Sequence, residues 1–280
     1  MPSPADPVAF TLFGIGVRWY AIFILAGIVA AVALIRWLAE RRGLDAEFPL
    51  DVAPWLVVGG VIGARLTYVL VRFDYFAQHP AEAFNVRLGG LAIHGALIAG
   101  ALIFIWFCRR RNQPFWVWSD LVVAGVALGQ AIGRWGNWAN QEAFGRPTTL
   151  PWGLRIDFAH RPPQFADFAT FHPTFLYESL FNLVNAAVLT WIALNIPRRD
   201  WLRSGDGLWT YCAAYGIGRL LIEQVRIDSL YIGPLPGPDW ASGALVLLGL
   251  TMLARGRLRS TPAPRTGRGA PPPQPSPRSD

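Results

Sequence analysis

Seven apolar runs recur along the chain, at about 14–36, 52–72, 89–108, 115–137, 174–196, 207–225 and 236–254. Each approaches the roughly 20 residues that a helix needs to cross about 30 Å of hydrocarbon. Glycines interrupt several of them, which membrane helices tolerate better than soluble ones. The pattern predicts an all-α polytopic membrane protein with about seven transmembrane helices. The first run does not read as a cleavable signal: it is long, lacks a basic leader and is followed by no small-residue cleavage site.

Arginines set the expected orientation. Arg36, Arg41 and Arg42 follow the first run, and Arg109, Arg110 and Arg111 follow the third. Arg198, Arg199 and Arg203 follow the fifth, and Arg255, Arg257 and Arg259 the seventh. The other side carries only Arg18, Arg72, Arg87 and Arg226 in its short segments. The positive-inside rule then puts the N-terminus outside and the C-terminus in the cytoplasm. The proline-rich connection at about 138–173 becomes a small extracytoplasmic cap. Residues 1–259 are expected to form one membrane domain, and 260–280, rich in Pro and Arg, a disordered cytoplasmic tail.

Composition agrees. Of the 280 residues 53% are hydrophobic and 15% charged, against about 25% charged in soluble domains. A net charge of +7 could suggest nucleic acid, but the arginines are dispersed through apolar runs, so a nucleic-acid partner is not expected. Cys108 and Cys212 make neither a disulfide framework nor a zinc pattern. The four histidines, His79, His94, His160 and His172, are too scattered for a metal cluster, so no metal or cofactor is expected.

The polar residues inside the runs carry the functional signal, because an ionisable group in a span is costly. Tyr20 lies near the outer end of the first span and Arg65 in the outer half of the second. His94 is about five residues into the third, roughly 7–8 Å deep. Arg134 and Asn137 close the fourth, followed by Asn140, Glu142 and Arg146; Tyr177 and Glu178 open the fifth. Tyr215, Arg219 and Glu223 stack at i, i+4 and i+8 on the sixth. The inner half offers little else that is polar, so these side chains are expected to share one cavity open to the outer leaflet. Arginines there favour a phosphate, since the guanidinium fork matches phosphate oxygens and stays charged. A His or Tyr beside them is a candidate general base towards a thiol or water. Together they suit a phospholipid whose headgroup phosphate becomes a leaving group.

Most specific is the stretch from Gly133 to Arg146, which reads G-R-x-G-N-x-x-N-x-E-x-x-G-R. With Ile93-His94-Gly95, His172-Pro173, Leu176-Tyr177-Glu178, Gly205-Asp206-Gly207 and Tyr215-Gly216-x-x-Arg219 before Glu223, it resembles the prolipoprotein diacylglyceryl transferase family of bacterial inner membranes. Trp19-Tyr20 and Gly63-Ala64-Arg65 share the likeness, which covers about 14–254 in order. Trp138 stands where the family usually has Phe, Ala96 where it commonly has a second Gly, and the tail is longer than the pattern requires.

The resemblance implies transfer of the diacylglyceryl group of phosphatidylglycerol to the lipobox cysteine thiol of a prolipoprotein signal peptide, giving a thioether and glycerol phosphate. It implies a multi-pass protein of the bacterial inner membrane whose active site faces the outer leaflet. On this footing Arg134 and Arg219 are expected to meet the lipid phosphate, and His94 or Tyr215 to promote thiolate formation. Asn137, Asn140, Glu142, Gly145 and Arg146 are expected to shape the headgroup site, Glu142 or Glu223 to hold an arginine, Arg65 to bind lipid, and Tyr20 either to bind lipid or to anchor at the interface. His172 is expected to cap the fifth span. The rival reading is a lipid or anion transporter with an arginine-lined cavity in the outer leaflet.

Overall fold

A computed structural model describes residues 1–4, 6–85, 89–227, 231–232 and 235–258. The tail expected at 260–280 lies outside the described residues, as do Arg87 and Arg259.

Eight helices dominate: α1 Trp19–Arg41, α2 Phe48–Val71, the short α3 Phe73–Gln78, α4 Ile93–Arg110, α5 Phe115–Asn140, α6 Thr174–Asn195, α7 Asp206–Glu223 and α8 Gly237–Leu258. All except α3 and α7 are long and apolar enough to cross a membrane. The expected sixth span is α7, a helix of 18 residues and so about 27 Å long. It carries Asp206, Arg219 and Glu223, and all three turn towards neighbouring helices. On the outside of the bundle Leu25, Trp55, Ile62, Leu102, Val184 and Leu247 are each more than half exposed. So broad an apolar surface has only lipid to cover it.

The first span begins later than expected. Residues 14–18 belong to a hairpin in which β1 Val8–Leu12 pairs antiparallel with β2 Ile15–Arg18. Phe13 and Gly14 form its two-residue turn, both with positive φ, the geometry that matches the twist of tight hairpins. A continuous apolar run does not distinguish strand from helix, and here the turn decides.

α5 is the central helix, flanked by α1 and α6, while α2 packs chiefly on α4 and α7 on α8. Small residues allow the closest approaches: a methyl group on Gly27 of α1 would stand 2.9 Å from the Gly129 carbonyl of α5. Between the α1–α5 and α2–α4 pairs lies a cavity of about 660 Å³. Its walls are almost wholly apolar, from Tyr20, Ala64 and Leu91 at one end to Ile35, Phe48 and Trp118 at the other.

The two ends of α7 are held differently. At its start Gly205 adopts a positive φ of 99°, and its N–H donates to Asp120 of α5 at 2.8 Å. The Leu208 N–H reaches the same carboxylate at 3.2 Å. Asp120, fully buried, thus caps a neighbouring helix and satisfies two of its orphan donors. Gly205-Asp206-Gly207 is this capped start. A side chain at Gly207 would meet Asp120 at 2.8 Å.

At the opposite end of α5 the chain from 141 to 173 forms a small cap. It contains the two-residue strands β3 Leu154–Arg155 and β4 Thr170–Phe171, paired antiparallel. A separate core of Phe144, Leu154, Ile156, Phe171 and Phe175 supports it. The N-terminus docks here too: the Met1 ammonium donates to Gly153 O at 2.5 Å, and Trp138 Nε1 donates to Pro2 O at 3.1 Å.

Candidate active site

Glu178 is the hub of the charged residues. It sits on the second turn of α6, its side chain 6% exposed. Three guanidiniums surround it: Arg134 Nη2 from α5 at 2.5 Å, Arg226 Nη1 beyond α7 at 3.3 Å and Arg219 Nη1 from α7 at 3.8 Å. Arg219 also pairs with Glu223 one turn on, at 2.7 Å, so the expected arginine-holding role falls to Glu223 and not to Glu142. A buried carboxylate is costly unless paired, and one facing three cations holds them against their mutual repulsion. Packing fixes its height: Ser179, the next residue, donates to Ala131 O of α5 at 2.8 Å and accepts from Trp135 Nε1 at 3.2 Å.

Glu142 is exposed and held by amides. Asn137 Nδ2 donates to it at 2.9 Å and Asn140 Nδ2 at 3.3 Å. Arg134 Nη1 reaches Asn137 Oδ1 at 3.5 Å. The chain makes this turn through two non-glycine residues with positive φ, Gln141 and Ala143. Two bonds hold it: Gln141 Nε2 donates to Asp157 Oδ2, and Gln141 Oε1 accepts from the Asp157 N–H, both at 2.7 Å. The Thr174 hydroxyl donates to Ala143 O.

Gly145 is buried where three segments meet. Its N–H donates to His172 O at 2.9 Å, and a methyl group on it would lie 2.7 Å from the Val225 carbonyl. Gly145→Ala is therefore expected to destabilise the protein by about 1–3 kcal/mol, the usual range for overpacking. Thermal unfolding followed by tryptophan fluorescence checks this. Gly100→Ala, which meets nothing within 4 Å, serves as the control and should not lower the transition, since alanine favours helix α4 over glycine.

Tyr20 joins the polar and apolar regions. It lines the large cavity, and its ring packs so near Gly136 of α5 that a methyl group there would come within 2.7 Å. Tyr215 lines a second, much smaller cavity with Glu178 and Arg219. Arg134, Asn137, Asn140, Glu142, Tyr215, Arg219, Glu223 and Tyr20 thus gather at the capped end of the bundle.

Three expected residues stand apart. Arg65 is buried, and its donors go to main-chain carbonyls: Glu82 at 2.6 Å, Ala83 at 2.8 Å, Gly89 at 2.8 Å and Gly90 at 3.1 Å. It ties the α2–α4 connection together. His94 is exposed on the first turn of α4 and, among the described residues, makes no hydrogen bond to the arginine group. Its neighbours Ile93 and Ala96 line the large cavity. The Arg146 side chain is exposed, while its backbone N–H donates to Val225 O at 2.8 Å.

His172 does not cap α6, whose N-cap is Pro173 with no side-chain cap bond. Its Nδ1 instead lies 3.1 Å from the Tyr177 hydroxyl. Proline fixes φ and removes a donor, so the chain enters the helix without needing the imidazole. The polar set also runs deeper than expected: Asn182 and Asn185 are buried on α6. Both lie on the face of Glu178, at i+4 and i+7. Glu178 was legible as a polar residue opening a span. Its role as hub, and that of Arg226, depends on how the helices pack.

Over residues 7–255 the chain matches the family described as prolipoprotein diacylglyceryl transferase. It is 43% identical over 259 residues, covering 92% of each chain, to the phosphatidylglycerol–prolipoprotein diacylglyceryl transferase of Trichormus variabilis. It is 46% identical over 244 residues to the protein of that name from Gloeobacter violaceus, covering 87% of this chain and 90% of the relative. The Chloroflexus aggregans protein of that name is 44% identical over 242 residues, 81% of this chain and 79% of the relative.

Proposed function

The chain belongs to the prolipoprotein diacylglyceryl transferase family, and from that premise we propose how this multi-pass membrane transferase works. It moves the diacylglyceryl group of phosphatidylglycerol to a prolipoprotein, and the acceptor is the lipobox cysteine thiol of the signal peptide. It does so in the bacterial inner membrane, with its active site towards the outer leaflet. Convergence of Arg134, Arg219 and Arg226 on buried Glu178, linked through Tyr20 to an apolar cavity of about 660 Å³, carries this reading.

The acyl chains lie in the apolar cavity, and the phosphate sits where Arg134 and Arg219 present their remaining N–H groups. The cysteine sulfur attacks the glycerol carbon that bears the phosphate ester. An S–C bond forms as the C–O bond breaks, and the electron pair leaves on glycerol phosphate. Negative charge grows on the phosphate oxygens, where preorganised guanidiniums stabilise it most. We assign the thiol proton to His94, which stands exposed beside the cavity and whose imidazole offers a nitrogen lone pair. Tyr215, enclosed with Arg219, helps to hold the arginine. Asn137, Asn140 and Glu142 form the headgroup rim, and Gly145 keeps the rim against the cap.

Mass spectrometry of a lipobox peptide incubated with purified protein and phosphatidylglycerol tests this. The peptide is expected to gain a diacylglyceryl increment on its cysteine, and a Cys→Ser peptide none. Well-folded protein that modifies no thiol would overturn the proposal and leave the arginine site to lipid or anion transport.

A further inference from the structure

A second cavity lies between α6 and α7, beside the arginine group. Glu178, Asn182, Tyr215 and Arg219 line it, with Phe181 and Ile222 as apolar walls, and it measures about 10 Å³. That is close to the space of one water molecule, which needs two to four polar partners to stay. Among the described residues, two buried atoms of the lining side chains make no hydrogen bond to protein: Asn182 Oδ1 and Arg219 Nη1. Asn182 is only 5% exposed. Its Nδ2 donates to the Glu178 carbonyl at 2.9 Å, and this bond fixes which end of the amide is oxygen. Arg219 Nη1 stands 3.8 Å from Glu178 Oε1, an ion pair too long for a direct hydrogen bond. Gaps of this kind between polar groups are commonly closed by water.

We propose that one water molecule binds in this cavity, accepting from Arg219 Nη1 and donating to Asn182 Oδ1 and the Glu178 carboxylate. Asn182 is then a positioning residue. Through the water it fixes the plane of the Arg219 guanidinium and thereby the direction of the donors offered to the phosphate. The inference rests on the transferase function, because Asn182 acts only through Arg219.

Loss of packing and loss of the water predict opposite rankings at this site. Leucine keeps the branched four-atom skeleton of asparagine without its polar atoms, fills the site and keeps water out; alanine opens space that a second water can occupy. In full-length protein with phosphatidylglycerol and a lipobox peptide, Asn182→Leu is expected to lower kcat by roughly tenfold or more. KM for the lipid should stay within about twofold. Asn182→Ala and Asn182→Ser should lose less than Asn182→Leu, with a second water replacing part of what the amide oxygen does. The reverse order, with Ala worse than Leu, would mark Asn182 as packing and overturn the proposal.

An experimental density map that resolves ordered waters gives a readout independent of turnover. It should show a peak within hydrogen-bonding distance of Asn182 Oδ1 and Arg219 Nη1; a dry cavity would refute the inference even if Asn182→Leu failed to fold. Wild-type protein that transfers nothing would instead count against the transferase function, and the map would still decide whether water binds.

Discussion

Arg134→Ala is expected to slow diacylglyceryl transfer by about 10³-fold or more, the scale on which single transition-state cations and donors act in acyl and phosphoryl transfer. Arg134 Nη2 rests on Glu178 Oε2 at 2.5 Å while the side chain keeps 27% of its surface open, so it is both aimed and accessible. Glu178 would still face Arg219 and Arg226 in the variant, and the fold should survive. The loss should therefore appear mainly in kcat. Arg134→Lys restores a point charge without the planar fork and should recover only part of the rate. Single-turnover transfer to a lipobox peptide, read by mass, measures both variants. An alanine variant within tenfold of wild type would remove Arg134 from the chemistry.

The second large effect is on stability. Glu178→Gln keeps the shape of the side chain and deletes the charge that three guanidiniums share. Removing one partner of a buried ion pair typically costs about 3–5 kcal/mol, because the remaining charge is left without compensation. Arg219 keeps its pair with Glu223, so a loss within that range is expected, seen as a lower unfolding temperature in detergent. Combining it with Arg226→Gln should return part of the loss, since the second change removes one of the repelling charges. A Glu178→Gln protein as stable as wild type would mean that the cations are screened by something other than this carboxylate.

Much of the architecture was legible because hydropathy marks spans by length alone. Only α7 blurs the signal, since Asp206, Arg219 and Glu223 lower its apolarity. Residues 14–18 were misassigned because an apolar run ahead of a span looks continuous with it, whereas the Phe13–Gly14 turn folds it into a strand. Most of the polar residues expected at one depth do gather at the capped end of the bundle, with Arg65, His94 and Arg146 apart. Their connectivity was not legible, because the pairing of Glu178 with Arg134, Arg219 and Arg226 depends on the rotation of three helices about their axes. Arg226 looked like one of the few arginines on the sparse side. Arg65 looked like a ligand for lipid, yet its charge faces carbonyls of the α2–α4 connection. Asn182 carries no charge, so it gives none of the signal that an ionisable residue gives inside a span.

The capped start of α7 has a mechanical consequence. Asp120 grips one end of that helix through the Gly205 and Leu208 N–H groups, and Glu178 grips the other through Arg219. α7 is thus a strut clamped at both ends, unable to slide along its axis without breaking one clamp. Its length, and not the thickness of the surrounding lipid, sets how far Arg219 stands from the opposite face. Arg219 therefore keeps its height in the bundle when the bilayer thickens or thins around it.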